Sequence, residues 1–317
     1  MSAGEARDVV PVSTLFSLRK AIAVVRLGRP IFLLGGVALY GLGTLAAVRR
    51  GHAFELDAFV FGQLAVSAVQ LMTHYANDYF DYEADKANRT PTRWSGGSRV
   101  LVNGELPRAL ALRVALLVAL GVPAALAGLA LSSGHFPVEV VVLVLSMQAL
   151  AWSYSAPPLS LHSRGLGEVT TALVVPLLMP LAGFLVQSGS FDWFPLALAA
   201  PLALLQIVML LSIEFPDSAG DRSAGKRTLV VLLGAARAAR LATVLVVSAF
   251  ALVALGVLAG MSTRLAWAWA AVAPLAVLHV ARLARGDYRL PSAWESLAFG
   301  SVALYFLAIV AELLALA

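Results

Sequence analysis

Two short acidic clusters interrupt an otherwise apolar chain of 317 residues. The first, NDYFDYEAD, occupies positions 77–85, and the second, DSAGDRSAGKRT, occupies positions 217–228. Carboxylate oxygens suit hard cations, and magnesium in particular is usually held by a few carboxylates while phosphate oxygens and water complete its octahedral shell. The two clusters are therefore predicted to form the two halves of a magnesium diphosphate site.

The spacing within each cluster aligns its carboxylates. Asn77, Asp81 and Asp85 stand four residues apart, so on a continuous helix they share one face. The second cluster repeats this spacing between its two aspartates. The predicted magnesium ligands are Asp78, Asp81, Asp85, Asp217 and Asp221. All of these except Asp78 are also predicted to be catalytic, and Asn77 and Asp78 are predicted to contact the substrate.

The second cluster also supplies cations. Arg222, Lys226 and Arg227 follow its aspartates, beside the flexible Gly225. A diphosphate with its magnesium in place still needs charge-assisted hydrogen bonds, which such side chains provide. These three cationic side chains are predicted to bind the diphosphate.

The rest of the chain has the composition of a membrane protein. Hydrophobic residues make up 60% of it and charged residues 13%, with a mean hydropathy of +0.85, whereas a soluble domain carries roughly 25% charged residues. Nine apolar stretches are long enough to cross a bilayer as helices and too long for barrel strands. They cover about 22–48, 59–80, 108–131, 137–154, 166–187, 195–215, 238–260, 265–283 and 294–316. The chain has no cysteine, which excludes disulfides and thiolate chemistry.

The basic residues predict which way the helices run. If the N-terminus is cytoplasmic, all but three of the 23 Lys and Arg residues lie on the inner side, the exceptions being Arg49, Arg50 and Arg264. Both acidic clusters then face the cytoplasm, in the cell membrane of a bacterium or archaeon. Basic loops of this kind usually meet anionic lipid, so the lipid bilayer is the expected partner and nucleic acid is not. No protein partner is implied.

The two aspartate pairs also indicate an internal repeat. Asp217 and Asp221 trail Asp81 and Asp85 by the same number of positions, and each pair follows the second helix of a four-helix group. The fold class predicted is an all-α polytopic membrane protein, with two four-helix halves plus one helix around a central cavity that opens near the cytoplasmic side. Residues 1–21 are predicted to form a cytoplasmic segment, and residues 22–317 a single transmembrane domain.

Both clusters resemble the two aspartate-rich motifs of the UbiA superfamily of intramembrane aromatic prenyltransferases. The Asn-x3-Asp-x3-Asp core of the first motif is intact, and so is the Asp-x3-Asp core of the second, with its trailing Gly-Lys-Arg-Thr at 225–228. The resemblance spans nearly the whole chain. It implies Mg2+ as the cofactor and transfer of a polyprenyl group from an allylic diphosphate to an aromatic acceptor.

Two further segments resemble the menaquinone-type members, which prenylate 1,4-dihydroxy-2-naphthoate with loss of its carboxylate. These are YSAPPL at 154–159, followed by RGLGE at 164–168, and SGGSR at 95–99. The resemblance implies substrate contacts from Tyr154 and Arg164, and a further contact is expected from Arg29. Other acceptors stay open: homogentisate, a 4-hydroxybenzoate-like ring, a porphyrin or a glycerol-type lipid core. The roles of Glu168, Arg26 and His74 are open as well.

A different class of membrane protein has similar sequence features. Ion-coupled transporters also combine intramembrane carboxylates with internal repeats. Their acidic residues usually lie near the middle of the bilayer, whereas these clusters lie at helix ends with Lys and Arg beside them. The prenyltransferase is therefore the favoured interpretation.

Overall fold

The computed structural model describes residues 12–133 and 138–317, and every regular element in these ranges is helical. Fourteen α-helices follow one another along the chain. They are α1 (Val12–Leu27), α2 (Pro30–Arg49), α3 (Leu56–Phe80), α4 (Tyr82–Ala87), α5 (Arg108–Ser133), α6 (Val138–Ser155), α7 (Gly167–Ala172), α8 (Met179–Ser188), α9 (Phe194–Glu214), α10 (Ser218–Ser223), α11 (Leu229–Leu233), α12 (Ala235–Leu258), α13 (Thr263–Arg285) and α14 (Pro291–Leu316). A π-helical turn, Leu173–Leu178, joins α7 to α8.

Within the described ranges, nine helices are long and apolar enough to cross a membrane. They are α2, α3, α5, α6, the continuous unit from α7 to α8, α9, α12, α13 and α14. Each corresponds to one of the predicted stretches. The prediction of an all-α polytopic fold is confirmed, and the chain is an integral membrane protein.

The start of the first span differs from the prediction. The expected helix over 22–48 is interrupted at Gly28 and Arg29, so residues 22–27 belong to α1 and the membrane helix begins at Pro30. Arg29 has a left-handed backbone with φ of 49°, and a proline ring disfavours the right-handed helical conformation in the residue before it. The predicted boundary at residue 21 therefore falls inside α1, and residues 1–11 lie outside the described residues.

The first acidic cluster also departs from the predicted continuous helix. The chain bends at Asp81, where α3 ends and α4 begins. Helical hydrogen bonds nevertheless run across the bend, from Asp81 N–H to the Asn77 carbonyl (2.8 Å) and from Asp85 N–H to the Asp81 carbonyl (2.9 Å). Asn77 and Asp81 thus still lie on the same side, while α4 can turn toward the second cluster.

A cavity lies between the membrane helices beneath the acidic clusters. Its walls come from α2, α3, α6, α9 and α14 and from the unit of α7 and α8, and its lining is mainly apolar. Arg29 and Asn77 line the end of the cavity next to the acidic clusters, and Leu39 and Met179 line it further along their helices. Beyond them α2 and α8 pack closely, because Gly43 leaves room for the Pro180 carbonyl, which a Cβ would approach to 1.7 Å.

Candidate active site

Asp81 lies at the meeting point of three parts of the chain. Its Oδ2 accepts hydrogen bonds from Asn77 Nδ2 (2.8 Å) and Lys226 Nζ (2.9 Å). Its Oδ1 lies 2.5 Å from Nε2 of His162. The first motif, the second motif and the connection between α6 and α7 therefore converge on one buried carboxylate.

Lys226 joins the two acidic clusters. In addition to its contact with Asp81, its ammonium lies 3.8 Å from Oδ1 of Asp221. The backbone N–H of Lys226 donates to the Asp221 carbonyl at 2.8 Å, which holds the lysine beside α10. The structure thus places one aspartate from each acidic cluster beside the same lysine.

The SGGSR loop, residues 95–99, packs onto the remaining aspartates. Ser98 donates to Asp78 from its backbone N–H (3.2 Å) and from its hydroxyl. Gly96 N–H donates to Asp217 at 3.0 Å. Gly97 has a φ of +71°, and a Cβ there would lie only 2.0 Å from Oδ2 of Asp85. The loop can approach this closely because its central residues are glycines.

Two further side chains tie the clusters to their surroundings. Arg29 forms an ion pair with Asp78 and donates to the side-chain carbonyl of Asn77 at 3.2 Å. Asn88, just after α4, donates to Asp217 at 2.6 Å. The bend at Asp81 therefore has a structural consequence, because it carries α4 and Asn88 across to the second motif.

The electrostatics of the site follow from burial and from these contacts. Burial alone would raise the pKa of Asp81, but Lys226 and His162 outweigh it and hold the pKa below its usual value. Burial would likewise lower the pKa of Lys226, and Asp81 and Asp221 instead raise it well above its ordinary value. The Asp81–Lys226 pair is therefore fully ionised at neutral pH.

For Asp85, Asp217 and Asp221, burial outweighs the nearby positive charge and raises the pKa. Burial, followed by repulsion from Asp81 and Asp78, raises the pKa of Asp85 to about 8. Burial also raises the pKa of Asp221 to about 6 and that of Asp217 to a smaller extent. Buried carboxylates in this state are stabilised by an added cation.

The donor set suits magnesium when it arrives with a substrate. Among the described residues, no three acidic or histidine side chains converge into a ready metal-ligand group. Magnesium is usually held by one or two carboxylates, with phosphate oxygens and water completing the shell. Asp81 with Asp85 on one side, and Asp217 with Asp221 on the other, fit that arrangement.

Four other predicted substrate-binding residues have the following positions and contacts. Arg164 donates to the Pro158 carbonyl within its own loop (2.7 Å), and the backbone N–H of Arg227 donates to the Ser163 carbonyl (3.2 Å). Arg222 lies on α10 and is exposed. Tyr154 does line the cavity. The structure thus brings Arg29, Asn77 and Tyr154 to the cavity, sets Lys226 between Asp81 and Asp221, and gives Arg164 a contact within its loop.

The residues whose roles were open now have contacts. Glu168 is buried and accepts a hydrogen bond from Leu229 N–H at 2.6 Å, which joins α7 to the start of α11. Arg26 forms an exposed ion pair with Glu105 at 2.8 Å. His74 lines the cavity, with its ring 6.2 Å from that of Phe32.

His162 is the site residue that sequence reasoning missed. It was not among the predicted site residues, although it follows the family-like segment that begins at Tyr154. The available signal was its position: His162 is a polar residue between the two family-like segments, eight positions after Tyr154.

Comparison with known proteins identifies the family of the chain. The sequence model of the UbiA prenyltransferase family matches residues 36–310. The chain therefore belongs to the UbiA prenyltransferase family. The family predicted from the two aspartate motifs is confirmed, and the membership argues against the transporter alternative.

Curated relatives fall into more than one acceptor class. The chain is 31% identical to 2-carboxy-1,4-naphthoquinone phytyltransferase of Synechocystis sp. over 34% of its own length and 36% of the relative's. It is 23% identical to 1,4-dihydroxy-2-naphthoate octaprenyltransferase of Bacillus subtilis over 66% and 65% of the two chains. The matches therefore span less than two thirds of either relative. Digeranylgeranylglyceryl phosphate synthase of Halobacterium salinarum is 32% identical over 86% and 91%.

Solved structures share the fold. A UbiA homolog from Aeropyrum pernix K1 superposes with a TM-score of 0.67 at 19% identity, covering 88% of this chain and 96% of that one. A UbiA homolog from Archaeoglobus fulgidus bound to GPP and Mg2+ gives 0.61 at 18% identity, covering 93% and 99%. The fold of the described residues is therefore that of known UbiA structures.

Proposed function

We propose that this protein is a magnesium-dependent prenyltransferase that transfers a polyprenyl group from an allylic diphosphate to 1,4-dihydroxy-2-naphthoate, with decarboxylation, in menaquinone biosynthesis. One observation carries the proposal: Lys226 lies between Asp81 and Asp221, from the two motifs, and Asp81 accepts a hydrogen bond from Asn77, which lines an apolar cavity. Such a group of charges suits a diphosphate with its cation, and the cavity suits the hydrocarbon of the donor.

The leaving group is stabilised by the two motifs. Mg2+, when bound with the diphosphate, supplies positive charge that makes the diphosphate a better leaving group. The aspartates of the two motifs would hold it. Lys226 places a further positive charge where negative charge grows as the allylic C–O bond ionises, and such preorganised charge is usually the largest catalytic contribution.

The cavity protects the allylic cation. Phe32, Trp94 and Tyr154 contribute aromatic rings to its lining. Such rings attract a cation through their π faces and keep water away from it. The donor's cation is then available to the acceptor ring, and the attacked ring carbon releases its carboxylate as carbon dioxide, which restores aromaticity.

Arg29 supports an acceptor that carries a carboxylate. Its guanidinium lines the cavity, and its buried Nε finds no hydrogen-bond partner among the described residues. A guanidinium is the side chain best shaped to bind a carboxylate. Arg29 is therefore the proposed anchor of the naphthoate.

A glycerol-type lipid core is the second candidate acceptor. The Halobacterium salinarum relative is a digeranylgeranylglyceryl phosphate synthase, and its match covers more of this chain than the matches to the two naphthoquinone-pathway relatives. A hydroxyl acceptor would leave both aspartate motifs unchanged. The two candidates differ in product, since only the naphthoate loses carbon dioxide.

Purified enzyme incubated with a long-chain allylic diphosphate, Mg2+ and a panel of acceptors is expected to yield a prenylated, decarboxylated naphthalene diol. Mass spectrometry of the products identifies the acceptor. The panel includes homogentisate, 4-hydroxybenzoate and a prenylglyceryl phosphate. EDTA should abolish the reaction, and turnover that persists without divalent metal would remove the magnesium assignment. Product from the glycerol lipid alone would replace the naphthoate with the second candidate.

The site is proposed to face the cytoplasm. The support is the distribution of Lys and Arg, which leaves only three of them on the opposite side. The substrates would then reach the cavity from the inner side of the membrane.

Metal binding is expected to tighten as the pH rises. The pKa of Asp85 is raised to about 8, so below that pH the carboxyl binds a proton that a metal ion must displace. Affinity for Mn2+ in the presence of a non-reactive diphosphate analogue should increase by up to about tenfold per pH unit below that pKa, and then level off. Calorimetric titration at several pH values measures this. In Asp85→Asn the dependence should flatten, and a wild type with constant affinity from pH about 6 to about 8 would contradict it.

A further inference from the structure

His162 is buried and held by several contacts, although it lies in a connection between two helices. It lies in a single 3-10 turn, Leu161–Ser163, between α6 and α7, and is buried with 4% of its surface exposed. Its Nδ1 lies 2.6 Å from the backbone carbonyl of Tyr154. Its ring also packs against the ring of Tyr154, with the centroids 5.2 Å apart and the planes tilted by 33°.

The backbone around His162 is fixed as well. Arg227 N–H donates to the carbonyl of Ser163 at 3.2 Å, which ties the turn to the second motif. Gly167 packs so closely that a Cβ there would lie 2.7 Å from the His162 Cα. With this backbone and the contact of Nδ1 to the Tyr154 carbonyl, the imidazole is held with its Nε2 against Asp81.

The two oxygens of Asp81 have different kinds of partner. Oδ1 is bound by the fixed imidazole at 2.5 Å. Oδ2 is bound by Lys226 at the end of a flexible four-carbon side chain, and by Asn77. A substrate that draws the Lys226 ammonium toward its phosphates exposes Oδ2 and leaves Oδ1 in place.

We propose that His162 is a positioning residue for the metal diphosphate site: it holds Asp81 through Oδ1 so that Oδ2 is the oxygen presented to the incoming cation. The inference rests on the proposed function. Hydrogen-bond partners of metal ligands orient those ligands, and removing such a partner typically lowers metal affinity or activity by about 10- to 100-fold. Lys226 neutralises the charge of Asp81 before the substrate arrives. After the Lys226 ammonium has moved toward the phosphates, His162 holds the Asp81 carboxylate in the same orientation.

A pair of amide substitutions separates this role from a purely structural one. The side-chain amide of Gln reaches the position of Nε2, and that of Asn reaches the position of Nδ1. His162→Gln can therefore still donate to Asp81, whereas His162→Asn keeps only the contact to the Tyr154 carbonyl. Each variant thus keeps one of the two imidazole hydrogen bonds, and only His162→Gln keeps the one to Asp81 that matters to the proposal.

The measured quantity is Mn2+ affinity in the presence of a non-reactive thiolodiphosphate analogue, followed by electron paramagnetic resonance in detergent. His162→Asn should weaken Mn2+ binding by about 10- to 100-fold and raise the Mg2+ concentration for half-maximal activity by the same factor. His162→Gln should recover most of that loss. His279→Asn is the matched control, because His279 is 2% exposed and lies against Ser212 at 3.3 Å, away from the aspartates. Its Mn2+ affinity should equal that of the wild type.

Each other result overturns the inference. If His162→Asn binds Mn2+ like the wild type, or if the Asn and Gln variants lose affinity equally, His162 does not position Asp81. In both cases a wild type that still binds Mn2+ with the analogue leaves the proposed function standing. A wild type that binds no Mn2+ with the analogue would overturn both.

Discussion

Replacing Asp81 by asparagine is expected to reduce prenyl transfer by at least about 1,000-fold, the largest effect of any single substitution in this protein. The side chain keeps its size but loses the negative charge that attracts both Lys226 and the metal. Its Oδ1 and Oδ2 each have a partner, at 2.5 Å from His162 and 2.9 Å from Lys226. An amide cannot accept at both positions, so either His162 or Lys226 loses its acceptor. The measurement is the initial rate with the long-chain donor in membranes or detergent.

Glu83→Gln is the matched control for Asp81→Asn. Glu83 lies two residues away, with 70% of its side chain exposed and a loose ion pair to Arg108 at 3.6 Å. The same loss of one carboxylate there should change the rate by less than about twofold, because exposed ion pairs contribute little. Gel-filtration profiles should show both variants folded. A folded Asp81→Asn enzyme with substantial activity would remove Asp81 from the catalytic site.

Lys226→Met is expected to lower the catalytic rate constant by about 100- to 1,000-fold, as is usual when one preorganised donor to developing negative charge is removed. The methionine retains most of the packing of the lysine stem. It removes the ammonium that lies between the two clusters, 2.9 Å from Asp81 and 3.8 Å from Asp221. Steady-state rates at saturating donor isolate this effect from changes in binding.

Two further variants serve as comparisons for Lys226→Met. Lys86→Met removes the same charge from an exposed position at the end of α4 and should leave the rate within about threefold of the wild type, since exposed charges are screened by solvent. The double variant Asp81→Asn with Lys226→Met should lose much less than the product of the single losses, because residues that act as one unit are non-additive. Fully multiplicative losses would show that the two residues act independently.

The membrane helices could be predicted because their signal is local. Each of the nine stretches is apolar over the length that a bilayer requires, and no information about distant residues is needed to recognise that. The prediction was wrong where local backbone geometry intervened. The break before Pro30 and the bend at Asp81 interrupt stretches whose hydropathy or spacing indicated continuous helix.

The candidate site was predictable only in part. The aspartates and Lys226 were found from their types and spacing, and the structure places Lys226 between aspartates of the two clusters. The contact of Arg164 within its own loop, and that of His162 with Asp81, could not be predicted in this way. Both residues lie in the connection between α6 and α7, where no regular period relates a residue's number to the direction of its side chain.

The sequence by itself determined the class of protein, the number of membrane helices and the acidic residues that are proposed to carry the chemistry. These properties depend on composition and on spacings within one helical segment. Only the tertiary structure decided which side chain binds each carboxylate oxygen of Asp81. Asp81 and Lys226 are 145 positions apart, and Asp81 and His162 are 81 apart. Contacts at such separations are set by how the helices pack and how the connections cross between them, and a linear pattern carries neither.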